Sequence, residues 1–299
     1  MDISVIILSY NVAPLLKDCL DSILKFTKGV KVEIIVVDNQ STDNSAVVAK
    51  SYGKKIKFIQ STENGGFAKG NNQGIKVTKG KYILLLNPDT YFTENSLKKM
   101  FLWMETHKNV GVASCQLLDS KKKITFTGGY FPTLWHLFLW AFFLDDIPGL
   151  STIINSYHPN WSVEKSYSKE FYPDWVTGAF FFMREKTIKQ VGLLDEDFFM
   201  YCEELEWCIR ASKKGWKVGY TPISKIVHLE RRSSGGASRN AILGEFKGLK
   251  LIYQKHFSPI QERILNITLI FAAILRILLW SLRRKPDIAK IYIETLSLE

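Results

Sequence analysis

The chain has 299 residues, 46% of them hydrophobic, enough for one large core or a core with an appendage and far too apolar for a disordered chain. Its 40 lysines and arginines against 29 acids leave a net charge of +11, so an anionic partner is expected: a phosphate-bearing substrate, an acidic membrane surface or nucleic acid. The four cysteines (Cys19, Cys115, Cys202, Cys208) form no CxxC pair and no Cys/His zinc spacing, which argues against a disulfide framework and a structural zinc.

The opening MDISVIILSYN lacks a basic n-region, and its apolar run is only a strand long, so no signal peptide is expected. Ile3 to Leu8 reads as a strand, and Leu15, Leu16, Cys19, Leu20, Ile23 and Leu24 then recur at helical spacing. Val32 to Val37 is a second strand, followed by a polar turn and a short helix over Ser45 to Tyr52. Lys57 to Gln60 is a third. After the Asn64-Gly65-Gly66 turn a helix runs to about Val77, and Tyr82 to Leu86 is a fourth strand stopped at Asn87-Pro88-Asp89. Near-continuous apolar strands alternating with helices predict an α/β fold with a mainly parallel sheet covered on both faces. Ligands of such sheets bind beyond the carboxyl ends of the strands. Further along, Ile124 to Tyr130 suits part of a hairpin, 134 to 171 an aromatic-rich insertion, Trp175 to Met183 one buried strand and Glu203 to Lys213 a helix. Ile226 to Leu229 suits a last strand. Two helical stretches, about 239 to 257 and 260 to 282, close the chain. This organisation divides it into a catalytic domain, 1 to 238, and a helical extension, 239 to 299.

Several residues can carry chemistry. Asp38 ends an apolar strand, where a carboxylate can accept the ring N–H of uracil or thymine, although a turn or cap role fits the same position. The run Gly65-Gly66-Phe67-Ala68-Lys69-Gly70-Asn71-Asn72 leads into a helix whose free N–H groups can face a phosphate. It matches neither GxGxxG nor a Walker loop, which argues against a Rossmann dehydrogenase and a P-loop ATPase. Asp89 beside a diphosphate requires a divalent ion between them, and Mg²⁺ or Mn²⁺ suits those oxygens; an ordinary turn is the alternative. Glu203, Glu204 and Glu206 crowd a helix start among Phe198, Phe199, Met200, Tyr201 and Trp207, a setting able to raise a carboxylate toward the range of a general base, or else solvated first-turn acids. His228 suits a second metal ligand with Asp89 or a capped core histidine. His107, His136, His158 and His256 have no evident partner.

Taken in order, SVIILSYN (4 to 11), EIIVVDNQSTDNS (33 to 45), NGGFAKGNNQGI (64 to 75), YILLLNPDT (82 to 90), WVTGAFFFMRE (175 to 185), GLLDEDFFMYCEELEWCIR (192 to 210) and the strand ending in His228 resemble the inverting family-two glycosyltransferases of GT-A fold, especially their rhamnosyltransferase-like branch. The resemblance covers about residues 3 to 232. It implies that Tyr10, Asn11 and Asp38 hold the nucleoside of a UDP- or dTDP-linked sugar, with Asn64, Gly66, Asn71 and Asn87 near the ribose and diphosphate. It further implies Asp89 and His228 as ligands of a divalent metal and Glu204, or its neighbour Glu203, as catalytic base. Trp175 to Ala179, with Gly178, would line the sugar or acceptor site. The chain departs from the family pattern twice. Glu203-Glu204-Leu205-Glu206 stands where Glu-Asp-x-Asp is usual, and Asn87 supplies no second charge to the metal.

Ile264 to Leu282, 19 residues, is nearly continuously apolar and is followed by Arg283-Arg284-Lys285. At roughly 100° per residue Asn266, Arg276 and Ser281 share a face with Arg263 and Arg284, which predicts a helix lying in a membrane interface. A spanning helix and simple core packing are the alternatives. The apolar stretch 134 to 140 offers a second contact. An interfacial enzyme at the cytoplasmic face would take a lipid-linked saccharide as acceptor, as in polysaccharide assembly. Of the competing functions, a sugar-phosphate nucleotidyltransferase lacks its glycine-rich loop after Leu8, and no nucleic-acid recognition motif is present. A non-catalytic nucleotide-sugar-binding protein stays open.

Overall fold

A computed structural model describes residues 1–147, 157, 167–229 and 238–298; much of the 134 to 171 insertion, with His158, lies outside the described residues. The strands are β1 (Ile3–Ser9), β2 (Val32–Asp38), β3 (Lys57–Gln60), β4 (Tyr82–Leu86), β5 (Thr90–Phe92), β6 (Val110–Leu118), β7 (Gly128–Gly129), β8 (Trp175–Val176), β9 (Phe180–Arg184) and β10 (Lys217–His228). The helices are α1 (Ala13–Phe26), α2 (Ser45–Ser51), α3 (Gly66–Ile75), α4 (Ser96–Thr106), α5 (Leu134–Ala141), α6 (Glu185–Val191), α7 (Glu203–Lys213), α8 (Ser238–His256), α9 (Pro259–Leu282) and α10 (Pro286–Leu296).

An eight-stranded sheet runs in the order β3-β2-β1-β4-β9-β6-β10-β5. Its strands are apolar at successive positions because both faces are covered. Ile6, Ile35, Val37, Ile83, Leu85, Phe181 and Met183 enter one core with α3, α7 and α8. The alternate residues Val5, Ile7, Ile34, Val36, Leu84, Phe180 and Phe182 enter the other with α1 and α4. Phe246, Leu249, Ile252, Tyr253, Leu265 and Leu269 of the C-terminal helices belong to the first core, which they share with the sheet.

The β-strands β1 to β4 are parallel, but β9 enters antiparallel between β4 and β6. The single strand expected over Trp175 to Met183 is two. Thr177-Gly178-Ala179 breaks it, because Thr177 donates its N–H to Thr127 and β8 pairs with β7, not with the main sheet. The last strand is also longer than its apolar end, and β6, α4 and α10 add elements that the periodicity did not mark.

The position of β5 shapes the site. It pairs antiparallel with β10 at the far edge of the sheet, yet only Asn87-Pro88-Asp89 separates it from β4. Four strand spacings of a flat sheet would be roughly 19 Å, whereas the connecting chain reaches about 14 Å. The sheet therefore curls, and the carboxyl ends of β4 and β10 converge.

The expectation that Arg276 shares an outward polar face is corrected. Arg276 is 4% exposed. Its guanidinium donates to the carbonyls of Trp140 at 2.9 Å and Ala141 at 3.0 Å, at the carboxyl end of α5, and stacks 4.3 Å from the Trp140 ring centre and 4.4 Å from that of Phe143. A cation at a helix carboxyl end is favoured by the dipole as well. Its removal takes a charged donor from these two carbonyls and a stacked group from two rings, so Arg276→Ala should lose about 2–3 kcal/mol of stability in denaturant titration. An unchanged midpoint would contradict the docking of α9 on α5.

Candidate active site at the carboxyl edge of the sheet

Asp38, the last residue of β2, is fully buried and stands beside Ser9 at the end of β1. Its Oδ2 accepts the Ser41 N–H at 3.0 Å and the Gln60 amide at 2.6 Å. Its Oδ1, like the Ser9 hydroxyl, has no hydrogen-bond partner among the described residues. A buried carboxylate oxygen left so is costly unless a ligand donates to it. Asn11 takes a left-handed φ of 55° and accepts the N–H groups of Thr42 at 2.7 Å and Asp43 at 3.3 Å, tying the end of β1 to the loop after β2. Tyr10 beside it is 42% exposed.

Sequence reading missed Asn39. Its carboxamide accepts the Gly65 N–H at 3.2 Å and donates to Asn64 Oδ1 at 2.7 Å, and Asn64 Oδ1 in turn accepts the Gly66 N–H at 3.1 Å. The Phe67 N–H donates to the Phe199 carbonyl at 2.6 Å. The expectation of free amides at the start of α3 is thereby corrected: those of Gly65, Gly66 and Phe67 are used inside the protein. Gly66 itself, at φ 76°, allows this contact, since a Cβ there would overlap the Phe199 carbonyl. Asn71 is buried and its amide donates to the Phe67 carbonyl at 3.0 Å within the helix. Asn72, also unforeseen, holds the loop before α7 by bonds to Leu194 and Glu196.

Asp89 and His228 meet through the β5–β10 ladder, which sets Thr90 opposite His228. Asp89 is 2% exposed, and its Oδ1 lies 3.4 Å from His228 Nε2. Two donors at right angles on a Mg²⁺-like ion, with bonds of about 2.1 Å, stand roughly 3 Å apart, so the pair fits a shared cation. Among the described residues no group of three His, Cys, Asp or Glu could hold a metal. Phosphate oxygens and water would fill the remaining positions, as they commonly do for Mg²⁺. Asn87 braces the turn: its N–H donates to the Ala179 carbonyl at 3.2 Å, and its own carbonyl accepts the Thr90 hydroxyl at 2.7 Å.

The three glutamates of α7 have three different situations. Glu206 is committed to a buried ion pair with Arg210 at 2.8 and 2.9 Å and to His256 Nε2 at 2.9 Å. His256, too, thus has a partner. Glu203 is 4% exposed, and burial first, then the neighbouring charge of Glu204, pushes its carboxyl well above the usual range. Glu204 Oε1 accepts the Gly178 N–H at 3.3 Å. Gly178 precedes Ala179, whose carbonyl holds Asn87, so the Thr177-Gly178-Ala179 link joins Glu204 to the turn bearing Asp89. Gly178 also faces the Phe67 ring. Trp175 is 5% exposed, packs edge-on to Phe126 and donates its indole N–H to the Tyr130 carbonyl at 3.2 Å. It supports this link from inside the core. A cavity of about 530 Å³ near Lys79, Lys81 and Glu185 opens at the amino end of β4, away from all these groups.

The family profile described as glycosyl transferase family 2 matches residues 4–169. The chain belongs to that family. The family-two chain is 26% identical over 231 residues to the low-salt glycan biosynthesis hexosyltransferase Agl10 of Haloferax volcanii, covering 76% of this chain and 67% of that protein. It is 32% identical over 112 residues to the minor teichoic acid biosynthesis protein GgaB of Bacillus subtilis, covering 36% of this chain but only 12% of GgaB. Among solved structures, the mannosyltransferase PcManGT of Pyrobaculum calidifontis, in complex with GDP-Man and Mn²⁺, superposes with a TM-score of 0.60 at 14% identity, covering 98% of this chain and 85% of that one. That likeness establishes the shared GT-A fold.

A carboxyl group that the fold holds well above its ordinary 4.5 weakens stability as pH rises past that value, because the unfolded chain gives up the proton before the folded one does. Glu203→Gln should therefore raise the unfolding temperature near pH 7, with the gain fading as pH falls toward 4.5. A gain that is largest in acid, or a loss at pH 7, would contradict the upward shift of the buried Glu203 carboxyl.

Proposed function

We propose that the chain transfers a sugar from a nucleotide diphosphate donor to an acceptor hydroxyl, with inversion at the anomeric carbon. The observation that carries this reading is the convergence of Asp89 and His228 with the Gly178–Glu204 contact at one sheet edge. Glu204 takes the proton of the acceptor hydroxyl as its oxygen attacks the anomeric carbon. The bond from that carbon to the diphosphate breaks, and its electron pair leaves on the diphosphate oxygen. A divalent ion, when held by Asp89 and His228, neutralises the charge that develops there. The vacant Asp38 Oδ1 accepts the ring N–H of a uracil or thymine, Tyr10 and Asn11 flank the nucleoside, and Asn64 and Asn87 flank the diphosphate. Gly178, packed against the Phe67 ring, holds the base at the acceptor side of the site through its N–H. Glu204, less deeply buried than Glu203 and held by the Gly178 N–H beside the turn that bears Asp89, is the better placed of the two to act as base. Glu204→Gln should lower kcat by roughly 10²- to 10⁴-fold with donor binding retained; full activity in this variant would rule the assignment out.

The same proposal places the enzyme on the cytoplasmic face of a membrane with a lipid-linked saccharide as acceptor, in cell-surface polysaccharide synthesis. The helix α9 is long and apolar enough to cross a membrane. Its Ile260, Ile264, Ile267, Phe271, Ile274 and Leu278 form an exposed stripe, Trp135 and Phe138 of α5 and the following Phe142 are exposed as well, and Arg283, Arg284, Lys285 and Lys290 are exposed beside its end. The opposite face of α9 is buried on the protein by Leu265, Leu269, Ala272, Ala273 and Arg276, which favours a helix lying in the interface over a spanning one. Sedimentation with vesicles should carry the protein down when anionic lipid is present, and Ile267→Asp with Phe271→Asp should release it. Complete recovery in the supernatant would remove the membrane from this reading.

A further inference from the structure

The chain turns sharply before α7, and Tyr201 and Cys202 do so with φ of 76° and 70°, a conformation rarely adopted by residues other than glycine. Such a turn persists only where its surroundings impose it. Here α8 lies directly against it. A Cβ on Gly244 would overlap the edge of the Tyr201 ring and stand 2.9 Å from the Met200 carbonyl. One helical turn on, a Cβ on Gly248 would stand 2.6 Å from both Cβ and Sγ of Cys202 and 3.2 Å from the Tyr201 carbonyl. The other side of the loop is fixed by the bond from the Phe67 N–H to the Phe199 carbonyl, 2.6 Å. The far end of α8 is held by His256 on Glu206 at 2.9 Å, and Tyr253 donates to the Pro132 carbonyl at 2.7 Å. The helix cannot retreat to admit a larger residue without breaking these bonds.

We propose that Gly244 and Gly248 are positioning residues for the reaction: the bare helix surface they present sets the height of the Met200–Cys202 turn, and with it the point from which Glu204 reaches Gly178 and the acceptor hydroxyl. The proposal rests on the reading of Glu204 as base. Both glycines lie outside the donor and metal machinery, so the predicted signature separates kcat from KM. A base displaced by about 1 Å can cost on the order of 10²-fold in rate.

The test is Gly248→Ala in the full chain, assayed by sugar transfer with donor KM measured alongside. The expected result is a kcat lowered by about 10- to 100-fold with donor KM within about twofold of wild type. Adding Cys202→Gly, which removes the colliding atoms and adopts the left-handed φ freely, should restore kcat. A folded Gly248→Ala with wild-type kcat, or a double variant no faster than the single, would overturn the proposal. Should Gly248→Ala fail to fold, Gly244→Ala, whose Cβ would press on the Tyr201 ring and the Met200 carbonyl of the same turn, is the second probe, and the same loss of kcat is expected; unchanged kcat there also overturns it. Glu204→Gln run in parallel separates the two readings. Activity surviving in that variant defeats the base assignment itself, whereas its loss beside a silent Gly248→Ala defeats only the positioning role.

Discussion

The short antiparallel pairing of Thr90–Phe92 with Ile226–His228 governs the chemistry of this fold. Pro88 ends β4 and removes a backbone donor, so the chain must leave the sheet there. It re-enters within a few residues at the opposite edge, which obliges the sheet to curl. The curl brings a carboxylate from the middle of the chain against an imidazole well over a hundred residues later, and both are largely withdrawn from water. The break of the following antiparallel strand at Gly178 falls at the same edge and receives Glu204. The Asp89–His228 pair, the Glu204–Gly178 contact and the buried oxygen of Asp38 thus share the carboxyl edge of the sheet although they come from distant segments of the chain.

Much of this was legible from residue pattern because the constraint behind it is periodic. Continuous apolar runs such as Tyr82 to Leu86 can exist only where both sheet faces are covered, and a strand that stops at Asp38 or at Asn87-Pro88-Asp89 places its acid at the carboxyl edge. The direction of β9 was not legible, since an apolar run is the same read either way. The fate of the α3 amides was not legible either, because their partners, Asn39 and the Phe199 carbonyl, come from other segments. Gly244 and Gly248 lie in a helix where glycine is ordinarily only a weakness; the reason for them is the turn across the contact. Arg276 misled for a related physical reason. A charge in an apolar helix is expected to seek water, but the carbonyls at the end of α5 and two aromatic faces satisfy it inside.

The charge distribution follows from the same packing. Of the acids of α7, Glu206 is held in an ion pair, burial raises the carboxyl of Glu203 and Glu204 meets the Gly178 N–H, while basic residues near the end of α9 and in α10 remain exposed beside an apolar stripe. The C-terminal helices contribute to the core under the sheet, back the turn that carries the glutamates and present the surface suited to a lipid interface. An apolar helix of this kind is a component of the catalytic unit as much as an attachment to it.

Whether Asp89 and His228 hold a cation beside a diphosphate is read by thermal unfolding of wild type and Asp89→Ala with UDP, dTDP and GDP compounds, with and without Mn²⁺. The expected result is Mn²⁺-dependent stabilisation of the wild type by at least one nucleotide diphosphate, about 2.7 kcal/mol at a hundredfold excess over Kd, and its loss in the variant. Stabilisation by none of them, or equal stabilisation of Asp89→Ala, would contradict it.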